Sequence, residues 1–144
     1  MSTVFTKIIA GELPGRFIYR DEQVAAFLTI EPVAYGHTLV VPIAEVDRWT
    51  DLEPQLWAHL NQVAQEIGKA MVDAFDSQRA GYLIAGFEVP HTHIHVFPAN
   101  DMSGYSLANV LPANSTDPEL MDAAATKLRA ILGTDANGYP HPAG

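Results

Sequence analysis

Apolar residues recur at three- and four-residue steps through Leu56, Leu60, Val63, Ile67, Met71 and Phe75. That period is one face of an amphipathic helix, predicted over 53–75. Asp51 is a candidate cap and Pro54 suits the first turn. A shorter helical face, Phe5, Ile8 and Ile9, lies within 4–13 and ends at Gly11 and Pro14. Elsewhere the pattern shortens to runs of four to eight residues. Runs 16–19 and 24–30 read as a hairpin about Asp21-Glu22. Runs 37–41 and 81–85 read as a third and a fourth strand, with Gly36 at the mouth of the third to permit unusual dihedrals. A second, weaker helix is predicted over 118–132, capped by Thr116 or Asp117. Together with a fifth strand over 91–98, these elements predict an α+β domain with a five-stranded, mainly antiparallel sheet and two principal helices. The domain is expected over 1–132, and the Gly- and Pro-rich stretch 133–144 is expected to be a flexible tail.

The fifth strand is the unusual one. It reads His91-Thr92-His93-Ile94-His95-Val96-Phe97-Pro98 and holds three of the six histidines. The β-branched residues between them favour extended chain. Alternation then puts His91, His93 and His95 on one face and Thr92, Ile94 and Val96 on the other. Neighbouring histidines would sit about 6–7 Å apart at Cα. A core strand does not spend one whole face on imidazoles, because each buried ring nitrogen needs a partner. This face is a candidate site.

Composition narrows the choices. With 144 residues, 48% of them apolar, the chain can bury one ordinary core. It has no cysteine, hence no disulfide and no thiolate metal site. No signal-peptide pattern and no spanning apolar run is present, which points to a soluble, cytoplasmic protein. A net charge of −9 argues against a nucleic-acid partner. No Lys or Arg lies between Arg79 and Lys127. An anion bound at the histidine strand must therefore be held locally by imidazoles, backbone N–H groups and small polar side chains, unless distant cations fold back onto it.

The histidine triplet alone leaves a zinc site and phosphoryl chemistry both open. Two further segments change this. Gly11-Glu12-Leu13-Pro14 closes the first helix, and Pro32 to Pro42 contains Gly36-His37-Thr38-Leu39-Val40. With His91-Thr92-His93-Ile94-His95-Val96-Phe97, these three motifs resemble the histidine triad (HIT) family, over about 5–98. The resemblance favours the triad enzyme over the metal site and implies the HIT-like fold and a homodimer. It implies a hydrolase or transferase acting at the α-phosphate of a purine nucleotide or nucleotide conjugate, such as a nucleoside phosphoramidate or dinucleoside polyphosphate. No cofactor is implied. His93 would be the nucleophile, forming a nucleotidyl-histidine intermediate. The main-chain carbonyl of His91 would fix its tautomer, the side chains of His37 and His91 would support the whole arrangement from behind, and His95 would bind phosphate oxygens. Phe5, Ile8, Leu13, Phe27, Thr29 and Ile30 fall at positions of the family's nucleotide cleft, although core packing explains Phe5 and Phe27 equally well.

The chain also departs from the family pattern. Thr29 stands where many relatives carry an acidic ribose ligand, and Phe87 stands where a polar residue assists the leaving group. Glu88 could act as an acid there only with a raised pKa. Thr3, Thr6 and Glu45 occupy positions that, in zinc-binding relatives, hold two cysteines and a histidine, so no structural zinc is expected. The losses at Thr29 and Phe87 keep a second reading open, a nucleotide-binding module with little turnover.

Overall fold

The computed structural model describes residues 2–141. Helix α1 spans Val4–Ile9, β1 Phe17–Arg20, β2 Val24–Leu28, β3 Thr38–Pro42, α2 Pro54–Phe75, β4 Arg79–Leu83, β5 Ile94–Ala99 and α3 Pro118–Leu132. The five strands form one sheet in the order β1-β2-β3-β5-β4, and every neighbouring pair is antiparallel. This is the α+β architecture predicted from the pattern.

Strand alternation splits the sheet into two unequal cores. On one face Ile18, Val24, Ala26, Leu28, Val40, Ile94 and Val96 pack against Leu60, Val63, Ile67 and Met71 of α2 and against Met121 and Leu128 of α3. Leu56 and Phe75, the ends of the predicted stripe, are only partly buried against this core. The other face is smaller: Phe5, Ala25, Phe27, Leu39 and Val41, flanked by Ile8, Ile9 and Phe17. Short α1 covers only part of it, and the site lies beside it.

Two local expectations need correction. The cap of α2 is Glu53, which makes no side-chain cap bond, and not Asp51. Asp51 lies in a separate 3-10 turn, Trp49–Asp51, and pairs with Arg48 Nε at 3.0 Å. For α3 the cap is Asp117, one of the two residues expected there, and its carboxylate accepts from the Glu119 N–H at 2.9 Å. In place of the flexible tail expected from 133 onward, residues 133–141 fold back onto β1. Thr134 Oγ1 donates to the Ile18 carbonyl at 2.6 Å, and the Arg20 N–H donates to the Gly138 carbonyl at 2.7 Å. The Arg20 guanidinium stacks on both Phe17 and Tyr139. The remainder of that stretch, 142–144, lies outside the described residues.

Candidate active site

The histidine segment enters the sheet later than its alternation suggests. Only from Ile94 does it join the ladder, pairing with β3 and β4. Pro90 has no N–H to give, the His91 N–H turns back to the Val89 carbonyl, and the Thr92 N–H leaves the sheet for the Val46 carbonyl. Thr92 Oγ1 also donates to Val46 at 2.8 Å. Beyond that point the predicted division of faces is present. Ile94 and Val96 enter the larger core. The rings of His93 and His95 meet edge to face at 5.0 Å on the opposite side.

Hydrogen-bond partners fix where the protons sit, because backbone groups have only one role each. The Val33 N–H donates to His37 Nδ1 at 3.0 Å. His37 therefore carries its proton on Nε2, and donates it to His95 Nδ1 at 2.9 Å. His95 in turn keeps its proton on Nε2. The His91 carbonyl can only accept, so His93 Nδ1 donates to it at 2.8 Å and His93 Nε2 is left as a lone pair. Among the described residues no protein group bonds Nε2 of His93 or of His95, and no buried side-chain nitrogen or oxygen lacks a partner. Both atoms therefore reach solvent. The result is a nucleophilic nitrogen beside an N–H donor, each oriented by a bond on the far side of its ring.

Electrostatics keep the rings uncharged. Burial first, then the neighbouring His95, pushes His37 down to about 3. Burial and then His93 push His95 down to about 4. His93 is also lowered, chiefly by burial, while its bond to the His91 carbonyl and the charge of Glu88 pull the other way. The charged groups acting on these three rings are one another, His91 and Glu88; neither Lys nor Arg is among them.

His37 thus bonds His95, while His91 bonds His93 through its main chain. The His91 ring is fully buried: Nε2 donates to the Pro42 carbonyl at 2.7 Å, and Nδ1 meets Thr3 Oγ1 at 2.8 Å. Of the cleft candidates, Phe5 sets its ring edge against His93 at 5.0 Å and against Phe27 at 5.7 Å. Ile8 flanks this cluster. Ile30 and Leu13 are exposed, at 60% and 38%. Thr29 is half-buried, and its hydroxyl accepts from the Glu31 N–H at 3.2 Å. Glu88 and Phe87 are exposed on the loop before the triad, Phe87 at 96%. Sequence reasoning missed the Val33 N–H, the Pro42 carbonyl and Thr3 as partners. Two are backbone groups that no side-chain motif reveals. Thr3 carried a weak signal, a Thr three residues before Thr6 at a helix start. Thr3, Thr6 and Glu45 do converge beside His91: the Thr3 N–H donates to Glu45 Oε1 at 2.8 Å. Hydroxyls replace thiolates there, a poor zinc donor set.

The five-stranded antiparallel sheet thus carries paired imidazoles at the start of β5, backed by a third at the mouth of β3. The chain belongs to the HIT family, whose domain matches residues 10–102. It is 33% identical over 105 residues to a HIT-like protein of Methanocaldococcus jannaschii, covering 70% of this chain and 81% of that one. It is 30% identical over 134 residues to the adenosine 5'-monophosphoramidase HNT1 of Saccharomyces cerevisiae, covering 92% and 84%. A zinc-bound histidine triad family protein from Mycobacterium smegmatis superposes with a TM-score of 0.77 at 30% identity, covering 92% and 94%. No helix among the described residues is long and apolar enough to cross a membrane.

Proposed function

We propose that this protein hydrolyses nucleoside phosphoramidates through a nucleotidyl-histidine intermediate on His93. The carrying observation is the pair of oriented nitrogens, the unprotonated Nε2 of His93 beside the Nε2–H of His95. The His93 lone pair attacks the α-phosphorus and the P–N bond to the amine breaks, the amine taking a proton from solvent that the water of the second step returns. Water then cleaves the new P–N bond, releasing the nucleoside monophosphate and free His93. His95 donates to a phosphate oxygen as negative charge builds in each step. The nucleoside lies along Phe5, Ile8, Leu13, Phe27 and Ile30, with Thr29 near the ribose.

Among the described residues no Lys or Arg acts on the three rings, which favours the phosphoramidate over a dinucleoside polyphosphate. A polyphosphate leaving group would bring several negative charges, and among the described residues the carboxylate that acts on His93 is that of Glu88. The likeness to the yeast monophosphoramidase supports the same choice. We propose further that it works as a homodimer in the cytoplasm. The decisive assay incubates wild type and His93→Ala with adenosine phosphoramidate and measures AMP. Release by the wild type should fall on the order of 10³-fold or more in the variant. Tight AMP binding with no release by the wild type would instead establish a binding module.

A further inference from the structure

We infer that the Thr3 hydroxyl is a positioning group for the nucleophile, clamping the His91 ring and through it the carbonyl that holds the proton on His93 Nδ1. Its kinetic consequence rests on the reaction proposed above; its structural content does not.

Residues 91–93 precede the ladder, which begins at Ile94. Sheet pairing therefore does not place the His91 carbonyl, and this short segment needs other anchors. Two are backbone bonds, His91 N–H to Val89 and Thr92 N–H to Val46. The others act on the His91 ring. Its Nε2–H donates to the Pro42 carbonyl at 2.7 Å, so Nδ1 must accept. Thr3, 88 residues away in sequence, meets that nitrogen at 2.8 Å. The protons around Thr3 agree with this. Its oxygen accepts from the Thr6 N–H at 3.2 Å as the cap of α1, which leaves its own hydrogen for His91. The alternative acceptor, Thr6 Oγ1, is farther off at 3.3 Å. Glu45 fixes Thr3 from the other side by accepting its N–H at 2.8 Å. The Thr6 hydroxyl and this N–H together hold the Glu45 carboxylate below its usual range.

The relay thus runs from Glu45 to Thr3, to the His91 ring, and from the His91 carbonyl to His93. Without the Thr3 hydroxyl, Nδ1 of a fully buried ring is left without a donor. Such a ring turns to find one, and its carbonyl moves with it. His93 then loses its preference for a proton on Nδ1, and part of the population carries it on Nε2, where it blocks attack.

The test compares Thr3→Val, which keeps the branched shape, with Thr3→Ser, which keeps the hydroxyl. Imidazole ¹⁵N spectra report tautomers directly, so the readout does not depend on turnover. Wild type and Thr3→Ser should each show His93 protonated on Nδ1 alone. Thr3→Val should show a mixture and a kcat lower by about tenfold, the rate equivalent of one hydrogen bond, at little changed KM. A folded Thr3→Val protein with an unaltered His93 spectrum overturns the inference. Should Thr3→Val fail to fold, Thr3→Ala carries the same comparison. If no phosphoramidate is turned over by the wild type while the His93 tautomer still responds to Thr3, the reaction is wrong and the positioning role stands.

Discussion

At the scale of single residues, what distinguishes the imidazoles is which nitrogen is occupied and how far each ring is kept from charge. His37 is 1% exposed, has a donor on one nitrogen and an acceptor on the other, and titrates only near pH 3 when folded. In the unfolded chain it titrates near 6.5. Between those values the unfolded state binds the extra proton, so stability rises with pH across the window, is complete above about 6.5 and is lost as pH falls towards 3. His95, lowered to about 4, acts in the same direction. For His37 alone the slope is at most about 1.4 kcal/mol per pH unit. Urea unfolding of the wild type should therefore lose stability between pH 6.5 and 5, above the range where carboxylates titrate, and His37→Gln should flatten that loss. Equal slopes in the two proteins would show that His37 is not held neutral by the fold. Little of this was readable beforehand. The spacing of His91, His93 and His95 announced a site, and the motif around His37 tied it in. The proton positions depend on Val33, Pro42 and Thr3, whose roles arise only when distant segments meet.

Among the elements, the helix stripe and strand runs were legible because burial repeats with the period of the backbone. Boundaries were less so. The last strand was expected from His91, yet its ladder starts three residues later, because Pro90 and the Val46 carbonyl divert the chain. The end of the chain misled more: a Gly- and Pro-rich composition signals flexibility, but cannot show that Gly138 lies against Tyr19 or that Arg20 stacks on Tyr139. Gly36 was the element boundary read most directly. It sits at φ +103°, and a Cβ there would come within 2.4 Å of the Phe75 ring at the end of α2. The loop it ends carries Val33, the donor to His37. Gly36→Ala combines a disfavoured dihedral with a collision against the helix, and should cost about 2 kcal/mol or more. The His37–His95 pair should loosen with it, so activity should fall in protein that remains folded. Unfolding midpoints for this variant unchanged within about 0.5 kcal/mol would show that α2 yields at Phe75 without strain.

For the whole molecule the two edges of the sheet are unlike. The outer edge of β1 is occupied: Thr134 bonds the Ile18 carbonyl and Gly138 the Arg20 N–H, so the C-terminal residues blunt it. At the other end of the order stands β4, with no strand beyond it among the described residues. Beside it runs a groove walled by Ala58, Asn61 and Gly68 of α2 and by Ala80 and Tyr82 of β4. Small residues there let another backbone approach closely, and Tyr82 is 44% exposed. An open strand edge is a template for pairing and is normally either protected or used. Two copies meeting edge to edge through β4 and laying α2 against α2 would satisfy it, and would leave both triads free, since their nitrogens open on the face opposite α2. Sedimentation at micromolar concentration should then give a species near twice the chain mass of 15.7 kDa. Tyr82→Glu, which places a carboxylate in the groove beside α2, should shift it to the monomer while leaving the triad hydrogen bonds intact. A wild type that sediments as a monomer would overturn the dimer. A Tyr82→Glu protein that stays dimeric would move the interface away from β4.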